Sequence, residues 1–295
     1  MKCNFKQKSN LFDFDAPKEK DVIFNTWQEF QNALANKEFS YDETDKALNS
    51  TFLKVFDDLL NSRCEEMETT IGEISNNWKL RRGAKVASAA EVNLERFIPK
   101  ACFINEDNRF SPRGVEWLYL AMSPNAHDAE VCTKKECRAQ DRDGFAICEF
   151  EMNSNWNDKK VINLTNTPEK TYEQINYILQ QQGKKLKNKK MSRGVRNGMH
   201  ILLTQEKQEM EGNIKTWGIS TYRKLLSEEI FVGLKNIADK ELKYAPFQCL
   251  AKYIESKGYV GIVYKSTVYP KAKDIVLFDK DIAIPKEIVA VDNIL

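Results

Sequence analysis

The sequence predicts an α+β protein: a helical N-terminal region followed by a domain in which short strands alternate with helices. Two observations carry this. Apolar residues recur at spacings of three and four up to about residue 78, and from Leu94 onward short apolar runs rich in β-branched and aromatic residues are separated by turn residues and helical stretches. A third bounds the architecture. At 295 residues with 42% hydrophobic content, the chain is long enough for one large domain with an appendage.

In chain order, residues 1–20 are polar and read as a loose arm. Val22, Ile23, Trp27, Phe30 and Leu34 then mark one face of a first helix ending at Asn36-Lys37, and Ala47, Leu48, Phe52, Val55, Phe56, Leu59 and Leu60 mark a second from about Asp42 to Asn61. A third is expected through Met67, Ile71, Ile74 and Trp78. Arg81-Arg82-Gly83 breaks the pattern, which sets the expected division into a helical region 1–90 and a domain 91–295. The apolar faces of these helices need a cover, which could be the following domain, a second copy of the chain or another protein.

Strands are expected near Arg96–Phe103, Trp117–Ala121, Phe145–Met152 and Val161–Leu164. A helix capped by Thr167-Pro168 continues through Ile175, Ile178 and Leu179. Gly183 to Gly198 reads as a basic loop, Ser220 to Leu242 and Pro246 to Ser256 as helices, and two strands close the chain.

Charge and cysteine usage exclude several functions. Forty-five lysines and arginines against 43 acidic residues leave a net charge of +2, which gives no general case for nucleic-acid binding. The run Lys184, Lys185, Lys187, Lys189, Lys190, Arg193, Arg196 has no interleaved aromatics for stacking on bases. No G-x-G-x-x-G follows a strand, so nicotinamide redox chemistry of the Rossmann type has no support. Seven cysteines without a C-x-x-C pair suit a reducing cytoplasm, and with two histidines no metal site is expected. A signal-peptide apolar stretch is not expected at the N-terminus, nor a membrane span anywhere.

The densest chemistry lies in Asn108-Arg109-Phe110-Ser111-Pro112-Arg113-Gly114-Val115-Glu116-Trp117-Leu118-Tyr119-Leu120-Ala121, which sets arginine, turn glycine and strand tyrosine at Arg-x4-Gly-x4-Tyr. Glu130 follows in the helical Pro124–Cys132. A guanidinium, a phenol ring and a carboxylate suit a ligand that has both phosphates and a cationic leaving group. Taken singly each residue has a structural explanation: Arg109 a surface pair with Glu106 or Asp107, Tyr119 a core aromatic, Glu130 an i,i+4 pair with Lys134, Ser266 the start of a turn before Tyr269-Pro270.

Together these residues resemble the RES domain, named for its arginine, glutamate and serine and found in bacterial toxin-antitoxin proteins that destroy NAD. One block is Arg109 to Glu130. The other is Ala245–Ala251, the strand Lys257–Ser266 that carries Ser266, and Asp274–Phe278. Asn108, Phe110 and Val260 depart from the family's usual glycine, tryptophan and acidic residue without removing a catalytic group.

The resemblance implies an ADP-ribosyltransferase-like fold, with small sheets forming a cleft, and an NAD-degrading enzyme that cleaves the nicotinamide N-glycosidic bond as a glycohydrolase or phosphorylase. NAD is then the substrate and no cofactor is needed. Arg109 would grip the pyrophosphate, Tyr119 would pack on nicotinamide or ribose, Glu130 would stabilise the oxocarbenium-like transition state, and Ser266 would fix the nicotinamide end. It also implies cytoplasmic growth arrest, restrained by a protein antitoxin or regulator or triggered during phage attack. ADP-ribosylation of a protein or nucleic acid at the same site, or a catalytically silent interaction module, are the alternatives.

Overall fold

The computed structural model describes residues 16–165, 172–190, 198–230 and 240–293. It is a mixed α/β structure, consistent with the expected α+β class, and its contacts divide the chain into two units. No helix among the described residues is long and apolar enough to cross a membrane.

The first unit combines residues 1–39, 45–66 and 166–229. Its helices are α1 (Ala16–Ala35), α2 (Thr44–Ala47), α3 (Thr51–Arg63), α6 (Tyr172–Lys190) and α7 (Gly198–Ile230). The second helix expected from the sequence is interrupted because Ser50 adopts an extended conformation and its hydroxyl accepts the Leu53 N–H, so that α3 starts afresh with its own cap. The apolar faces read from the sequence meet in an aromatic core. Trp27 packs edge-on against Phe52 at 4.8 Å, Phe52 stacks on Phe30 at 5.3 Å, and Tyr222 of α7 lies 5.1 Å from Phe52 while donating its hydroxyl hydrogen to the Phe52 carbonyl. Gly183 to Lys190 of the expected basic loop are helical, at the end of α6, and its last residue, Gly198, begins α7. Residues 191–197 of that loop and the Thr167-Pro168 cap lie outside the described residues.

The second unit combines residues 40–44, 67–165 and 230–295. It contains β1 (Glu68–Thr70), α4 (Ile71–Asn77), β2 (Lys79–Lys85), β3 (Leu118–Ser123), α5 (Ala126–Glu136), β4 (Phe145–Met152), β5 (Lys160–Asn163), α8 (Lys240–Ser256), β6 (Gly261–Lys265), β7 (Lys273–Leu277) and β8 (Ala283–Asp292). One eight-stranded sheet in the order β1-β5-β6-β7-β3-β2-β4-β8 replaces the separate small sheets expected. β3 joins the two halves by pairing with both β7 and β2, and among the described residues only β5 and β6 run parallel.

Three expectations are corrected here. The division is not near residue 90, because Met67 onward belongs to the sheet unit: β2 sits between β3 and β4, with Arg81-Arg82-Gly83 inside it rather than in a linker. The third helix is shortened to α4, where Thr70 and Glu73 form a reciprocal capping box directly after the short strand β1. Residues 96–103 form two 3-10 turns, Leu94–Phe97 and Ala101–Phe103, not a strand. Asn93 caps the first turn and Pro99, which has no N–H to donate to a ladder, separates the two. β8, unmarked by the sequence reading, covers the edge of β4.

One face of the sheet buries Leu80, Leu118, Leu120, Met122, Phe150, Ile275 and Leu277 with Ile71 and Ile74 of α4 and with Phe97. On the other face α5 packs Cys132 against Ala121 and Ala272. Because β2 is internal to the sheet, a chain starting at Ala90 should lack a cooperative thermal transition in circular dichroism. A sharp melt from that chain would contradict the placement of β2.

Candidate functional site

The site begins with a change in strand pairing. β2 pairs with β3 only over Lys79–Arg81, yet with β4 over Leu80–Lys85, so β2 and β3 part after Arg81. A cavity of about 280 Å³ opens at this parting. Arg81, Arg82 and Gly83 wall it from β2, Tyr119, Leu120 and Ala121 from β3, Thr133, Glu136 and Cys137 from the end of α5, and Tyr264 and Asp274 from β6 and β7, with Asn108 from the preceding loop. The register explains the floor: Arg81 lies opposite Ala121, Ala121 opposite Asp274, and Asp274 opposite Tyr264, so these four side chains share the face that α5 covers.

Arg82 is the residue in greatest need of a ligand. Its Nη1 is buried without a hydrogen-bond partner, and burial brings the guanidinium down to about 10, against a smaller opposing effect from Cys137, so it stays cationic at neutral pH. A buried cation lacking a full set of acceptors is costly, and an anion in the cavity would supply them. Arg81 also has a buried nitrogen, Nε, without a hydrogen-bond partner, but its charge is matched by carboxylates: Nη2 lies 2.9 Å from Glu149 and Nε 3.5 Å from Glu130.

The four residues expected from the sequence are all near this cavity, but only Tyr119 is in its wall. Its phenol hydroxyl meets Ser111 Oγ at 2.9 Å, and burial pushes it well above the usual phenol range. Arg109 lies over the Tyr264 ring, 5.9 Å from its centre, and favours the ionised form of Asp274. Glu130 pairs with Arg81, while Lys134, its expected i,i+4 partner, pairs with Asp292 instead. Ser266 is buried; its hydroxyl donates to Glu136 Oε1 at 2.9 Å, and accepts from Cys132 at 3.3 Å and from the Tyr269 N–H at 3.3 Å. Arg109, Glu130 and Ser266 thus each touch a wall residue.

Sequence reasoning missed Arg82, Glu136, Tyr264 and Asp274. Asp274 had a signal, a carboxylate beginning the apolar run Ile275–Leu277. Glu136 lies one turn beyond Cys132. Asp274 is 5% exposed, and its carboxyl is held well above the ordinary carboxylate range, first by burial and then by the neighbouring Glu136. Donor atoms of Cys132, Glu136 and Asp274 lie within 4.8 Å of one another. Burial also pushes the Cys132 thiol up, so in the absence of a bound ion both buried members of the cluster favour their protonated forms.

Compared with protein-family models, curated proteins and solved structures, the chain matches none.

Asp274 generates a pH prediction. With its folded value raised above about 3.9, the ordinary aspartate value, the native state binds more protons than the unfolded state between the two, so stability falls as pH rises through that window. Asp274→Asn, which mimics the protonated acid, should raise Tm near pH 8 and leave it nearly unchanged near pH 4. Equal effects at both pH values would contradict the buried, protonated assignment.

Proposed function

We propose that this protein cleaves the nicotinamide N-glycosidic bond of NAD, with the cavity between β2 and β3 as the substrate cleft. The supporting observation is the half-buried Arg82, whose Nη1 is buried without a hydrogen-bond partner, in the wall of a cavity flanked by two tyrosines and carboxylates. At about 280 Å³ the cavity lies near the low end of the ~300–1,000 Å³ typical of ligand sites. It suits one end of a dinucleotide with the remainder outside.

Each group has a task that its geometry permits. Arg82 and Arg109 each offer a planar fork for the pyrophosphate. Tyr119 and Tyr264 present rings for nicotinamide or ribose, Tyr264 being held from behind by Phe110 at 5.0 Å. Nicotinamide already carries positive charge in NAD and leaves as a neutral molecule without a proton donor, so the demand on the protein is to stabilise an oxocarbenium-like ribosyl group. Glu130 supplies negative charge for this, and Arg81 fixes its position. Ser266 acts at one remove, orienting Glu136. The biological setting in this proposal is a cytoplasmic toxin restrained by a protein antitoxin or regulator.

Purified full-length protein incubated with NAD should release free nicotinamide, and its expression in bacteria should deplete NAD and arrest growth. Arg82→Ala and Glu130→Ala should each lower kcat/KM by about 100-fold or more, the scale of losing one preorganised electrostatic contact, with Tm confirming a folded chain. Running the assay with water alone, with phosphate and with added protein separates glycohydrolase, phosphorylase and ADP-ribosyltransferase. No nicotinamide release under any of these conditions would overturn the proposal and favour an interaction module.

A further inference from the structure

We propose that Glu136 and Asp274 form one proton-sharing carboxyl pair in the cavity wall, and that Glu136 is the general base that takes a proton from an acceptor water. This rests on the NAD-cleavage reading and deepens it, since it commits the site to hydrolysis. The two carboxyl groups come from different elements, the last turn of α5 and the start of β7, and meet beside the parted strands. Their exposure differs: Asp274 is buried, whereas Glu136 is exposed to water at the cavity.

Adjacent carboxyls cannot both ionise without a large repulsive cost. Burial favours the protonated form of Asp274, and the exposed Glu136 accepts the Ser266 hydroxyl at 2.9 Å. The groups facing the pair are consistent with one retained charge. From α5 comes the neutral Cys132, from β6 and β3 the phenols Tyr264 and Tyr119, from the loop Arg109, and from β2 the ion-paired Arg81 and the cationic Arg82. Arg109 favours the ionised form of Asp274, opposing the larger effects of burial and of Glu136.

The chemistry needs such a group for water and not for every acceptor. As the bond from ribose C1′ to the nicotinamide nitrogen breaks, its electron pair goes to that nitrogen and neutralises the ring. A water oxygen forms the new bond to C1′ and must lose a proton, which passes to Glu136 and then to solvent. The products are nicotinamide, ADP-ribose and one proton. A phosphate dianion would attack with no proton to lose, so a base at this position distinguishes the hydrolytic enzyme.

The test uses the full chain carrying Glu136→Gln, Glu136→Asp or Asp274→Asn, with Tm measured for each. Glu136→Gln should lower kcat for NAD hydrolysis by about 100-fold or more, within the range for general-base catalysis. Its Kd for NAD should be unchanged, the acidic limb of the pH–kcat profile should vanish, and formate should restore part of the rate. Glu136→Asp should retain part of the rate. Wild-type kcat and pH profile in Glu136→Gln would overturn the base assignment while leaving NAD cleavage intact. A wild-type chain that releases no nicotinamide would instead overturn the underlying reading. The pair itself has a readout independent of turnover: infrared difference spectra at neutral pH should show a protonated-carboxyl stretch that Asp274→Asn removes, and its absence from the wild type would overturn the shared proton.

Discussion

The sheet could continue its β2–β3 ladder past Arg81, and the site depends on its not doing so. While β2 stays paired with β4 to Lys85, its other edge leaves β3, and the space between them is lined by polar side chains. Opening a central ladder forgoes backbone hydrogen bonds and buries a guanidinium whose Nη1 has no acceptor. Both costs fall at one place. An unpaired strand edge beside a buried cationic nitrogen without an acceptor suits a position kept for a ligand rather than for stability, since surrounding packing must compensate for both.

The support around the parting shows where that compensation comes from. Below the cavity, Leu80, Leu120 and Ile275 anchor the same three strands in a continuous apolar layer. Above it, Arg81 is tied to Glu130 on α5 and Glu149 on β4, so one buried cation links the helix to the sheet on both sides of the opening. Gly83 allows this close approach: a Cβ there would meet Phe145 and the Thr133 methyl of α5. Ser266 holds the other end of α5 through Glu136 and Cys132. Residues that resemble catalytic groups in the sequence therefore include two, Glu130 and Ser266, whose visible partners are other protein groups.

Legibility in the sequence followed the range of the interactions involved. β4 was legible to the residue because Phe145–Met152 is a compact apolar run, and the aromatic faces around Trp27 and Phe52 were legible because helical spacing is local. β2 was not, since Lys79-Leu80-Arg81-Arg82-Gly83 has the composition of a break and becomes a strand only through long-range pairing with β4. The cavity's key cation was lost with it. Tyr119 was legible through its spacing from Arg109 and Gly114, whereas Asp274 and Glu136 come together from positions 138 apart in the chain, a meeting that no local pattern encodes.

The central claim is that the parted strands hold an anionic ligand through Arg82. Titrating ADP-ribose, the portion of NAD that carries both phosphates, into the full-length protein while recording its phosphorus NMR spectrum tests this without requiring turnover. With the wild type, both phosphorus signals should shift and broaden saturably, and with Arg82→Met, which keeps the length and apolar stem, they should remain those of the free ligand. Equal saturable shifts for both proteins, or none with the wild type, would contradict the account.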